Sequence, residues 1–149
     1  MVRFRGFFEY SIDDKGRVNI PAKFRKSLNP EADETFVIVR GPNNCLQAFP
    51  QDAWSRFEDE LDKRPTTPET MKLKRHLYNS ISDSKLDGQG RVMLTSHQLS
   101  VANINDKVML VGQGNYIEFW SPEAYQKYFG ADDDFDKVYY QSVKDSLKE

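Results

Sequence analysis

A single cysteine, Cys45, excludes an internal disulfide, and two histidines, His76 and His97, give no spaced cluster of metal ligands. No apolar run approaches the ~20 residues that a membrane-spanning helix needs. No N-terminal apolar segment resembles a signal peptide, so a cytoplasmic protein is expected. Phosphate-cradling loops are missing as well. Gly112-x-Gly114 lacks the third glycine of a dinucleotide fingerprint, Gly88-x-Gly90 belongs to a hairpin, and no Gly-x-x-x-x-Gly-Lys occurs. Cys45 borders an apolar strand, His76 lies in a basic helical stretch, and Asp13 with Asp14 fits a turn, so no nucleophile–base pair forms. The expectation is a protein that is not an enzyme and has no cofactor, metal, membrane or small-molecule substrate.

A large positive charge is also lacking: the formal net charge is −2 over 149 residues. Its distribution matters more than its sum. Residues 1–26 carry seven Lys/Arg against three acids, and residues 72–91 carry five against two. Residues 30–71 carry four against nine, and residues 131–149 three against six. Two locally basic segments on an acidic chain form an electrostatic footprint for an anionic partner, although scattered solvated charge would leave the same trace.

What is present is a repeat. Residues 12–18 read Ile-Asp-Asp-Lys-Gly-Arg-Val and residues 86–92 read Leu-Asp-Gly-Gln-Gly-Arg-Val. The likeness continues downstream. Ile20-Pro21 and Phe24 match Leu94-Thr95 and Leu99. The apolar run 36–39 matches 108–111, and 46–54 matches 117–125 with a small shift of register. A duplicated unit of roughly 70 residues accounts for this order. Both basic segments contain a copy.

Each copy predicts the same local structure. A strand over Phe7–Ile12 leads into a turn in which Asp13 hydrogen-bonds its own backbone and Gly16 supplies a positive φ; Asp87 and Gly90 repeat the device. In the return strands Val18 and Ile20, like Val92 and Leu94, point to a core, while Arg17, Asn19, Arg91 and Met93 point away. Pro21 suits the first position of a short helix over 22–28. Residues 36–39 and 46–49 read as strands, and Trp54, Phe57 and Leu61 share one face of the helix that follows. Thr67-Pro68 starts a helix to about Ser80, with Leu73, Leu77 and Ile81 four apart. Ser121-Pro122 starts another carrying Tyr125 and Phe129, which Gly130 and Asp132–Asp134 end. A last amphipathic helix is expected around Phe135, Tyr139, Val143 and Leu147. The expected divisions are a first repeat with its helix (1–64), a linker and connecting helix (65–82), a second repeat (83–130) and an acidic C-terminal segment (131–149).

The repeated Asp-x-x-Gly-Arg reads in two ways. It makes a sound turn in which Arg pairs with its own Asp. It also sets an outward Arg beside a hairpin tip, twice, on basic segments. An Arg fork fits guanine O6 and N7, and a two-stranded β-ribbon fits the major groove. Lys15, Lys23, Arg25 and the arm residues Arg3 and Arg5 are then candidates for phosphate contacts, which position without specifying.

These residues resemble the MraZ family, within the AbrB-like group of bacterial transcription factors. The resemblance spans about residues 1–130. It rests on Arg5-Gly6, on the run from Asp13 to Arg25, and on the proline-started helix carrying Trp54. Leu86-Asp87-x-x-Gly90-Arg91-Val92 and the run from Val111 to Trp120 complete it. The resemblance implies an α+β fold, built as a pseudo-two-fold β-barrel of two swapped-hairpin repeats with peripheral helices. It implies ring-like homo-oligomers on the nucleoid that bind short direct repeats of double-stranded promoter DNA upstream of the division and cell-wall gene cluster. It places Lys15, Arg17 and Arg91 on the DNA face. The second copy departs from the first, with Gln89 for Lys15 and Leu94-Thr95-Ser96-His97 for Ile20-Pro21-Ala22-Lys23, so the first motif is expected to read DNA more strongly. The alternative is an AbrB-like module acting mainly through a protein partner, with the acidic tail as its arm.

Overall fold

Short β-rich apolar runs separated by Gly, Asn and Asp turns call for strands, and longer amphipathic stretches call for helices. The computed structural model of the protein describes residues 3–130, 134–143 and Ser146. In chain order the elements are β1 (Phe7–Ser11), β2 (Arg17–Asn19), α1 (Ala22–Lys26), β3 (Thr35–Arg40), β4 (Leu46–Pro50), α2 (Gln51–Asp62) and α3 (Pro68–Ser80). The second half adds β5 (Ser82–Lys85), β6 (Arg91–Met93), α4 (Ser96–Val101), β7 (Lys107–Gly112), β8 (Ile117–Trp120), α5 (Pro122–Gly130) and α6 (Phe135–Ser142). Leu147, expected on the last helix, and Asp132–Asp133 lie outside the described residues. None of the described helices is long and apolar enough to cross a membrane.

The strands form a mixed α+β architecture with two antiparallel sheets. One has six strands in the order β1-β7-β8-β4-β3-β5, and the other is the ribbon β2-β6. Among the described residues the hydrogen bonding does not close the larger sheet, since β1 and β5 are its edges. The two halves interleave. β1 pairs with β7, Phe8 opposite Leu110, and β5 pairs with β3, Ser84 opposite Phe36. At the centre β4 meets β8, with Ala48 opposite Ile117.

Period-two alternation explains how this assembly makes a core. Val18, Ile20, Val92 and Leu94 point inward and join Phe4, Phe24, Phe36, Ile38, Leu110 and Phe119 in one buried cluster. The continuous apolar runs of β3 and β7 are buried on both faces. Val37 and Val39 turn to the other side, against Trp54, Phe57, Leu77 and Ile81 on or beside α2 and α3. Met109 and Val111 likewise meet Cys45, Trp120 and Tyr125. Leu73 stays at the surface, so α3 docks through its C-terminal end rather than its whole length.

Helix starts differ between the copies. Pro21 stands one position before the expected one, at the N-cap of α1, which ends at Lys26. In the second copy Thr95 caps α4 through a reciprocal capping box with Gln98. Gln98 is fully buried. Its Nε2 donates to the Ser80 carbonyl at 2.8 Å, the Ser82 hydroxyl at 2.9 Å and the Ile38 carbonyl at 3.2 Å. It therefore ties α4, α3, β5 and β3 at one point. Gln98→Leu removes the side-chain half of the capping box and strands buried acceptors, which is expected to cost about 2–4 kcal/mol in a urea unfolding titration. A loss under about 0.5 kcal/mol, the range of an ordinary surface change, would contradict this role.

Candidate nucleic-acid interface

The repeated turns are built by one carboxylate each. Asp13 Oδ1 accepts from the backbone N–H of Lys15 at 3.0 Å and of Arg17 at 2.8 Å. Asp87 Oδ1 does the same for Gln89 at 2.8 Å and Arg91 at 3.0 Å. The other oxygen of each Asp accepts from its arginine Nε, at 2.6 Å for Arg17 and 2.9 Å for Arg91. Both carboxyls are held below the ordinary value of 3.8. The first cause is the arginine backbone N–H; desolvation opposes it, and the neighbouring backbone N–H and the guanidinium add to the lowering. With Nε engaged by its own aspartate, each arginine keeps two Nη groups for other partners.

Glycine closes each turn in the left-handed region, φ +80 at Gly16 and +74 at Gly90. These glycines also join the copies. Leu94 N–H donates to the Gly16 carbonyl at 2.8 Å, and Ile20 N–H to the Gly90 carbonyl at 3.0 Å. A Cβ on Gly16 would stand 2.5 Å from the Leu94 carbonyl oxygen, a backbone atom. One on Gly90 would meet the Arg25 side chain at 2.7 Å. Arg25 lies over the second turn because its Nε donates to the Ile20 carbonyl at 2.9 Å.

The ribbon sets the register of the outward face. Val18 faces Val92, both in the core, so Arg17 stands across from Met93 and Asn19 across from Arg91. Arg91 Nη1 also comes within 3.7 Å of Asp13 Oδ2, so one carboxylate lies between the two arginines. Lys15 is exposed on the first turn. The structure thus gathers Asp13, Lys15, Gly16, Arg17, Arg25, Asp87, Gly90 and Arg91 into one surface.

The arm follows another course. Phe4 pairs with Gly114 by reciprocal backbone hydrogen bonds of 2.7 and 2.9 Å, and Arg3 Nη1 donates to Asn115 Oδ1 at 2.9 Å. Arg5 is exposed next to Gly6, and a Cβ on Gly6 would lie 3.7 Å from Lys23 Nζ. Lys23 in turn sits 5.5 Å from the centre of the Phe8 ring. Arg3 and Arg5 are therefore placed by the β7–β8 turn and α1, not by the repeated turns.

Elsewhere little suggests chemistry. Cys45 is buried, and burial, then the Glu118 carboxylate, pushes its thiol up to about 12. Among the described residues no group of His, Cys, Asp or Glu is placed to hold a metal. The contact of Arg25 with the second turn had no local signal in the sequence. Gln98 did have one, the Thr95-x-x-Gln98 spacing, but its three acceptors come from distant elements.

A family model described as "MraZ protein, putative antitoxin-like" matches residues 3–76 and 81–139. A protein named transcriptional regulator MraZ from Roseiflexus sp. strain RS-1 is 36% identical over 131 residues, 87% of this chain and 89% of its own length. Those of the same name from Oenococcus oeni and Clostridium tetani are 34% and 31% identical, each over 91% of this chain and 93% of their own.

Two outcomes are expected from the turns. Gly16→Ala and Gly90→Ala both place a side chain at positive φ, at a cost of about 1–3 kcal/mol, but only the former meets backbone. Urea titrations should therefore rank Gly16→Ala below Gly90→Ala, with Gly88→Ala, where a Cβ meets open space, near wild type. Equal losses at 16 and 90 would refute the backbone clash. The lowered Asp13 and Asp87 values contribute stability that is complete above 3.8 and disappears as pH falls through their folded values. The Asp13→Asn/Asp87→Asn variant should be less stable at neutral pH, with a shallower acid limb by circular dichroism. An unchanged limb would place acid sensitivity elsewhere.

Proposed function

The chain belongs to the MraZ family, and from that premise we propose that it is a DNA-binding transcriptional regulator of its own division and cell-wall gene cluster. It binds short upstream direct repeats as a ring-like homo-oligomer, in the cytoplasm at the nucleoid. The observation that carries this reading is the pair of carboxylate-closed turns, which aim Arg17 and Arg91 from one two-stranded ribbon. A two-stranded β-ribbon fits the major groove, and an arginine fork suits guanine O6 and N7; at Arg91, where Nη1 rests near Asp13, a base would compete with that contact. The names of the relatives agree with it.

The same proposal covers the finer architecture. The ribbon closes over the six-stranded sheet as a pseudo-two-fold barrel of two AbrB-like repeats, 1–64 and 83–130, joined through 65–82. The exchange of β1 and β5 between halves supports it. Lys15, Lys23, Arg25, Arg3 and Arg5 hold phosphates around the reading arginines. A ring that presents several such faces turns weak single contacts into avidity, which offsets the chain's net negative charge. The antitoxin-like description of the family favours the second reading, a module that works mainly through a protein partner.

Fluorescence anisotropy separates these. DNA from upstream of the protein's own gene is compared with a scrambled duplex over a salt series, for wild type and Arg17→Ala. Preference for the upstream DNA, lost by about 10-fold or more in Arg17→Ala, supports base reading by the first turn. Equal weakening on both duplexes, with a lower salt slope, would reduce Arg17 to a phosphate contact. Binding to neither duplex at low salt would overturn the DNA reading in favour of a protein partner. Monomers alone in sedimentation under binding conditions would overturn the ring.

A further inference from the structure

The outward face of the ribbon has four members, and only two are arginines. Any antiparallel pair has a local half-turn axis, here between Val18 and Val92. That half-turn exchanges Arg17 with Arg91, like for like. It also exchanges Asn19 with Met93, which are chemically unlike. Asn19 is exposed, and Met93 is 52% exposed, a large apolar side chain left in solvent on a charged face while the core lies one residue away on either side. A second inequality runs the same way, since Lys15 on the first turn stands where Gln89 stands on the second.

Resting on the DNA-binding reading above, we propose that Asn19 and Met93 read bases beside the two arginines, and that their difference fixes the direction in which the protomer sits on DNA. The Asn19 amide has the donor and acceptor that match adenine N6 and N7. The Met93 methyl thioether offers an apolar contact for the thymine methyl group. The arginine pair alone is two-fold symmetric, as is the groove of a duplex, so it would accept a box in either orientation. Asparagine at one end and methionine at the other remove that equivalence. Lys15 adds a phosphate contact at the first turn that Gln89 does not supply, so backbone anchoring is one-sided too.

The test selects duplexes from a library with a random central segment, using the full chain as wild type, Asn19→Met, Met93→Asn and the double exchange. Both positions are exposed, and thermal melts confirm that each variant folds. Wild type is expected to enrich a box that differs from its own reverse complement. Each single exchange makes the base-facing positions of the ribbon symmetric, and the Lys15–Gln89 inequality that remains touches phosphate only. Each should enrich a box symmetric at the two outer positions, thymine-bearing for Asn19→Met and adenine-bearing for Met93→Asn, and weaken binding to the wild-type box about 10-fold. The double exchange should recover an asymmetric box. Met93→Leu, which keeps an apolar contact, should keep the wild-type box. The same asymmetric box from wild type and both single exchanges would overturn the proposal, placing the source of direction outside Asn19 and Met93. A symmetric wild-type box would overturn it as well. Binding by wild type without enrichment of any box would overturn base reading altogether, whereas no binding at low salt would fail the DNA reading on which it rests.

Discussion

Everything on the ribbon face depends on a carboxylate that accepts three hydrogen bonds at once. An aspartate two residues before a backbone N–H, and four before a second one and its guanidinium, can satisfy all three only if the chain turns tightly between them. The turn and the pose of the arginine are thus one event. Asp13 and Asp87 do this work in water rather than in the core, so their value lies in geometry more than in folding energy. An arginine on a free hairpin tip samples many rotamers. Here the Nε hydrogen bond removes much of that freedom before any ligand arrives.

The glycine after each carboxylate has a double duty. It relieves the positive φ, and it lets the other half of the chain come within hydrogen-bond distance through Leu94 and Ile20. That approach brings the two arginines near one shared carboxylate. A face with two posed arginines therefore arises from one short motif written twice. No other element had to be devised for it.

Much of this was legible in the residues. Alternation at Val18–Ile20 and Val92–Leu94 placed the core, and the Asp and Gly positions placed the turns. The unbroken runs of β3 and β7 announced strands covered on both sides. What stayed illegible was pairing over distance. No local pattern says that β1 lies on β7 rather than on its sequence neighbour, or that Arg25 rests on Gly90. Such choices are settled by which faces complement one another once all are present. Leu73 carries the same lesson: its spacing put it in line with Leu77 and Ile81, but it stays at the surface while they pack against the cluster of Val37, Val39 and Trp54.

The interleaved sheet also bears on synthesis. Phe7 finds its partner at Val111, roughly a hundred residues later, and β3 cannot cover its outer edge until β5 exists. While the ribosome is still making the middle of the chain, the first turn is already written, but β6, to which the ribbon must pair, is not. The nascent first half therefore emerges with an open sheet edge and no finished face. Competence arrives late and all together, when the last strand leaves the exit tunnel. A truncated product carries the motif without the instrument.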